Sequence, residues 1–97
     1  MITRYALFEG SIAKGQTEAF RAAVLQELLP KWQAFPGALG VRVTFADERD
    51  EGAPEFPLIL AIDYPDREAV TKVATEALLP RFFTGRILHH ITTAHSG

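Results

Sequence analysis

The sequence predicts an α+β domain in the order strand, helix, strand, strand, helix, strand. Its four strands form one antiparallel sheet, with both helices on one face. Three observations predict it. Two stretches carry apolar residues at helical spacing, Phe20/Val24/Leu28 and Ala69/Val70/Val73/Ala74/Ala77/Leu78. Four others are rich in branched and aromatic residues and read as strands. Proline or glycine marks the junctions, at Gly10, Pro36-Gly37, Pro65, Pro80 and Gly85.

The first strand is expected over Ile2–Glu9, ended by Gly10, with a loop over Ser11–Gly15. Thr17 is expected to cap the first helix, and Glu18 favours the positive end of its dipole. Pro30 lacks an N–H and its ring crowds the turn before it, so the helix is expected to break or kink there. A short turn restarts over Lys31–Phe35 with Pro30 as its first residue.

Leu39–Phe45 alternates cleanly, with Leu39, Val41, Val43 and Phe45 on one face and Gly40, Arg42 and Thr44 on the other. Ala46–Pro57 is an acidic loop without the ligand spacing of a calcium site. The third strand runs to Tyr64, and Asp66 caps the second helix, which Pro80 ends. The last strand is expected over Arg86–Ala94.

This order is the split βαβ pattern of ferredoxin-like domains, βαββαβ, with spatial strand order 4-1-3-2. Thr17–Lys31 and Arg67–Arg81 echo each other at a constant offset, each ending in Leu-Leu-Pro and a basic residue. Internal duplication and a shared way of ending helices explain that echo equally.

Composition bounds the function. A chain of 97 residues, 47% hydrophobic, makes a single domain over residues 1–97 with one core. The net charge of -2 and the scattered basic residues give no field to hold nucleic acid. There is no cysteine, which excludes disulfides and thiolate chemistry. No apolar run approaches the ~18 residues of a membrane span, and the opening Met-Ile-Thr-Arg-Tyr is not signal-like. The expectation is a cytoplasmic protein that binds neither nucleic acid nor membrane.

One copy cannot cover both sides of this sheet. Ile2/Ala6/Phe8, Leu39/Val41/Val43/Phe45, Leu58/Leu60/Ile62/Tyr64 and Ile87/Ile91 are expected beneath the helices. The opposite face then carries Tyr5, Leu7, Arg42, Thr44, Ile59, Ala61, Asp63, Leu88, His90 and Thr92. That mixture is too apolar to leave wet as one patch, so a sheet-to-sheet homodimer is expected, with Arg42 near Asp63 in its interface.

Ile-Thr-Arg-Tyr-Ala-Leu-Phe at the start resembles the opening strand of the stress-responsive A/B-barrel proteins. Leu58–Val70 resembles their third strand and the entry to their second helix. The wider dimeric α/β-barrel superfamily, which includes antibiotic-biosynthesis monooxygenases and EthD-like proteins, fits about as well. The resemblance implies a homodimer with a ligand pocket between each sheet and its own helices. Members with cyclase-type chemistry carry a His in the first strand, where Arg4 stands here. They also carry a Tyr and a His-Pro-Ala-His segment in the second-helix region, where this chain has neither. No catalytic residue is carried over. Trp32, the only tryptophan, lies near the end of the first helix rather than on a strand, which speaks against haem degradation.

His89 is the sharpest candidate for chemistry, an imidazole on the helix-covered face that could serve as general base. Phe20, Leu28, Trp32 and Phe82 could line an apolar pocket, with Arg4 orienting an anionic or carbonyl group. The bland alternative is a core histidine bonded to backbone, with the aromatics as ordinary packing. His89 and His90 point to opposite faces, and His95 lies about 20 Å from His89, so no metal site is expected. No cofactor is called for. Three functions follow: binding of a small apolar or aromatic molecule, a cofactor-independent monooxygenase or cyclase using His89, or a structural or regulatory dimer with a filled core.

Overall fold

β1 runs from Ile2 to Ile12, longer than the sequence suggests, and the reason is a pair of glycines. The structure is a computed structural model that describes residues 1–71 and 78–95. Gly10 lies opposite Gly85 in the antiparallel pairing of β1 with the last strand, β4 (Phe83–Thr93). Their φ angles are 158° and 157°, extended conformations almost reserved for glycine. A Cβ on Gly10 would press on the Thr84 carbonyl and sit 2.8 Å from the Gly85 Cα; one on Gly85 would meet Glu9 in the same way. Gly10 and Gly85 therefore carry both strands onward instead of ending them.

β2 (Gly40–Phe45) and β3 (Leu58–Tyr64) complete the sheet, in the order β2-β3-β1-β4 with each neighbouring pair antiparallel. This is the four-stranded ferredoxin-like arrangement the sequence predicts. Leu39 stops short of β2 and is exposed rather than inward, though its N–H donates to the Asp63 carbonyl at 2.8 Å.

The helical layer begins with α1 (Thr17–Ala23). Thr17 is its first helical residue, not its cap; Gln16 holds that position without a side-chain bond, and its carbonyl accepts from the Phe20 N–H at 2.8 Å. Pro30 does not break the helix either. Val24–Leu28 opens into a π turn in which the Leu29 N–H reaches back to the Val24 carbonyl, and α2 (Leu29–Gln33) follows directly. The wider turn makes room for a ring that would otherwise strike the carbonyl of residue 26.

That turn also sets which side chains face the sheet. Phe20, Val24, Leu28 and Trp32 recur at strict intervals of four, and all are buried. In a regular α-helix twelve residues would rotate the last of them by about 120° from the first. The π turn takes back most of that rotation. α3 (Arg67–Thr71) is capped as expected, the Ala69 N–H donating to Asp66 Oδ1 at 2.9 Å. Of its expected stripe, Val70 is buried and Ala69 and Leu78 pack against the core, while Val73, Ala74 and Ala77 lie outside the described residues.

The helices and the inner side of the sheet enclose a core of Ala6, Phe8, Phe20, Val24, Leu28, Trp32, Leu58, Leu60, Ile62, Tyr64 and Val70. Phe83, ahead of the last strand expected from Arg86, lies in β4 and packs edge-on against Phe8 at 5.7 Å between ring centroids. The residue before it, Phe82, has φ 69°, an unusual value for a bulky side chain, and is 41% exposed. Phe82→Gly should therefore stabilise the fold by roughly 1 kcal/mol, seen as a higher urea midpoint, because a left-handed conformation costs an L-residue about that much.

Candidate functional site

The aromatics grouped by sequence into one pocket are separated by the fold. Phe20, Leu28 and Trp32 do come together, but as packed core, at 0%, 7% and 2% exposure. Phe20 meets Phe45 at 6.1 Å and Phe83 at 6.5 Å, while Trp32 meets Phe8 at 6.4 Å. Phe82 stands outside this cluster, exposed. Arg4 lies further along β1, opposite Ile62 of β3 and Ile91 of β4.

Around Arg4 the described residues leave the inner face incompletely covered. β4 is the edge strand, and on its helix-facing side His89 is exposed and Ile91 is 40% exposed. His89 is thus not a core histidine. It pairs with Ala6 and sits diagonally across from Arg4, which is half-buried. Partial burial first, then the positive charge of Arg4, pull the His89 pKa below the ordinary histidine value, against a backbone hydrogen bond at Tyr5. The neutral imidazole is favoured.

Tyr64 joins this group, and sequence reasoning passed over it as one more inward residue. It is fully buried, two residues along β3 from Ile62, the partner of Arg4. Its hydroxyl is buried without a hydrogen-bond partner among the described residues. Burial raises its pKa and the Arg4 charge offsets part of that rise. A buried donor left unused typically costs about 1–3 kcal/mol, so it calls for an explanation. The signal available in the sequence was a tyrosine, rather than a phenylalanine, at the end of an inward-facing row.

The other sheet face carries the residues expected there. By register, Tyr5, Leu7, Ile59, Ala61, Asp63, Leu88, His90, Thr92, Arg42 and Thr44 all turn away from the core. Tyr5, Leu7, Ile59 and Leu88 are half-buried, Ala61 is buried, and Arg42, Thr44, His90 and Thr92 are exposed. Arg42 and Asp63 share this face without an ion pair among the described residues. Arg42 stands opposite Ala61, and Asp63 instead accepts from Thr3 Oγ1 at 2.7 Å. Thr92 Oγ1 donates to the Thr3 carbonyl at 3.3 Å, which ties this corner together across three strands.

Two surface clefts are less suited to recognition. One of about 480 Å³ is lined by Ile12, Arg21, Arg49, Phe56 and Pro57, among others. Its Arg21 is already engaged, donating to the Ala46 carbonyl at 3.1 Å, lying 3.7 Å from Asp47 and stacking 5.1 Å from the Phe45 ring. The other, about 600 Å³, runs beside the π turn past Leu78 and Leu79, where Arg81 pairs with Glu27 at 3.1 Å. Among the described residues no group of three or more His, Asp or Glu stands together as a metal site. No helix among them is long and apolar enough to cross a membrane.

The fold is EthD-like. The chain is similar to the crystal structure of an ethyl tert-butyl ether d (EthD) family protein from Bacillus halodurans, with a TM-score of 0.72 and 17% identity, over 98% of this chain and 99% of that one. At that identity the likeness is one of fold. No family model matches the sequence, and no curated protein matches it.

Proposed function

We propose that the chain acts as a homodimer, sheet against sheet, that binds a small apolar or aromatic molecule on the helix-facing side of β1 and β4. The observation that carries the binding reading is the inner shelf of half-buried Arg4 and exposed His89 and Ile91, backed by a Tyr64 hydroxyl without a partner among the described residues. Such convergence of a few polar groups on apolar surroundings is what orients a small ligand. The opposite face supports dimerisation: no helix among the described residues packs on Tyr5, Leu7, Ile59 and Leu88. At about 25 cal/mol per Å² of apolar area buried, hiding several hundred Å² offsets much of the entropy of association.

Sedimentation at micromolar concentration should report twice the chain mass, and Leu88→Lys should halve it. In NMR titration with a naphthalene-based ligand, the His89 and Ile91 resonances should move and those of Arg42 should not. A folded monomer, or shifts confined to the outer face, would contradict the proposal.

A cofactor-independent enzyme is the second reading, favoured by one observation. The imidazole of His89 is held neutral beside Arg4, which leaves a ring nitrogen free to take a proton at neutral pH. His89→Ala should then lower turnover of a bound substrate far more than it weakens substrate binding.

A further inference from the structure

We infer that the shelf beside Arg4 takes an organic monoanion, its acidic oxygen on the Arg4 guanidinium and its apolar body along Ile91. The inference rests on the small-molecule reading above and adds the chemical class of the ligand.

The first support is the charge inventory of the inner sheet face. By register its residues are Ile2, Arg4, Ala6 and Phe8 of β1, the inward rows of β2 and β3, and Ile87, His89, Ile91 and Thr93 of β4. Arg4 is the one arginine or lysine among these strand residues, and none of them carries a carboxylate. It has no acid partner among the described residues. A half-buried guanidinium has given up part of its hydration, and an unpaired buried charge is costly unless something else completes it.

A second support is the leftover donor. Tyr64 is fully buried and its hydroxyl donates to nothing among the described residues. The Arg4 charge reaches Tyr64, so an oxyanion seated between the two would give that hydroxyl an acceptor, and charge-assisted hydrogen bonds of this kind are the strong ones. Third, the neutral state of His89 leaves the shelf one net positive charge, which suits a singly charged ligand. Carboxylates and phenolates share the required feature, one anionic oxygen on an apolar frame.

Calorimetric titration of the full chain with 1-naphthoate and with the uncharged 1-naphthamide tests this. The expected result is at least tenfold tighter binding of the naphthoate. Arg4→Gln should remove the preference and Arg4→Lys should keep part of it, with circular dichroism confirming that each variant folds. Tyr64→Phe, which only deletes the unpartnered hydroxyl, should weaken naphthoate binding severalfold and leave naphthamide unchanged. Equal affinity for the two probes in the parent protein would overturn the anion assignment and leave small-molecule binding intact. Binding of neither at millimolar concentration would remove both. An unaltered naphthoate affinity in Tyr64→Phe would overturn the hydroxyl's part in the site.

Discussion

Gly10→Ala should lose about 3 kcal/mol of stability, read as a lower urea midpoint at fixed protein concentration. The loss has two sources. A Cβ at residue 10 meets backbone, the Thr84 carbonyl and the Gly85 Cα, which cannot step aside as the end of a flexible side chain would. The φ of 158° is also one that side chains rarely adopt. Gly85→Ala should behave alike, because the two glycines approach each other reciprocally across β1 and β4. The double variant should lose less than the sum, since both changes force open the same place. Gly15→Ala is the control: its φ is 75° but open space surrounds it, so only the conformational cost of about 1 kcal/mol applies. Equal losses at residues 10 and 15 would show that the close approach does not matter.

Phe8→Ala should cost about 3–5 kcal/mol, the range for emptying a buried aromatic site. Phe8 is 2% exposed on a strand paired on both sides, and its ring lies against Trp32 and Phe83. Its removal opens the joint between the helical layer and the sheet, so the near-ultraviolet signal of Trp32 should weaken well before the helical signal falls. Phe8→Leu keeps most of the volume and should cost no more than about 1.5 kcal/mol. A Phe8→Ala loss below that of Phe8→Leu would mean the core closes around the gap.

The sheet was legible because its signal is local and repeated. Alternation in Leu58–Tyr64 places every second residue inward, and the register bears it out from Leu58 to Tyr64. Glycine misled at both Gly10 and Gly85, because a residue that usually ends strands here permits two of them to cross closely. Thr17 misled as a cap, since Gln16 takes the position without using its side chain. The candidate site was half legible. Arg4 and His89 follow from strand parity, but their exposure depends on β4 being an edge strand, a property of the sheet and not of any single stretch. Tyr64 was hidden because an inward tyrosine looks like packing until its hydroxyl is seen to lack an acceptor.

The π turn at Val24–Leu28 amounts to one residue more than a regular helix between the same end points would need. Excising a single outward residue such as Gln26 would leave Phe20 and Trp32 in phase, yet would return the Pro30 ring to collision with the chain behind it. Shortening this segment is therefore a two-step change, tolerable only together with replacement of Pro30. Point substitutions at exposed Leu25 and Gln26 should pass with little effect.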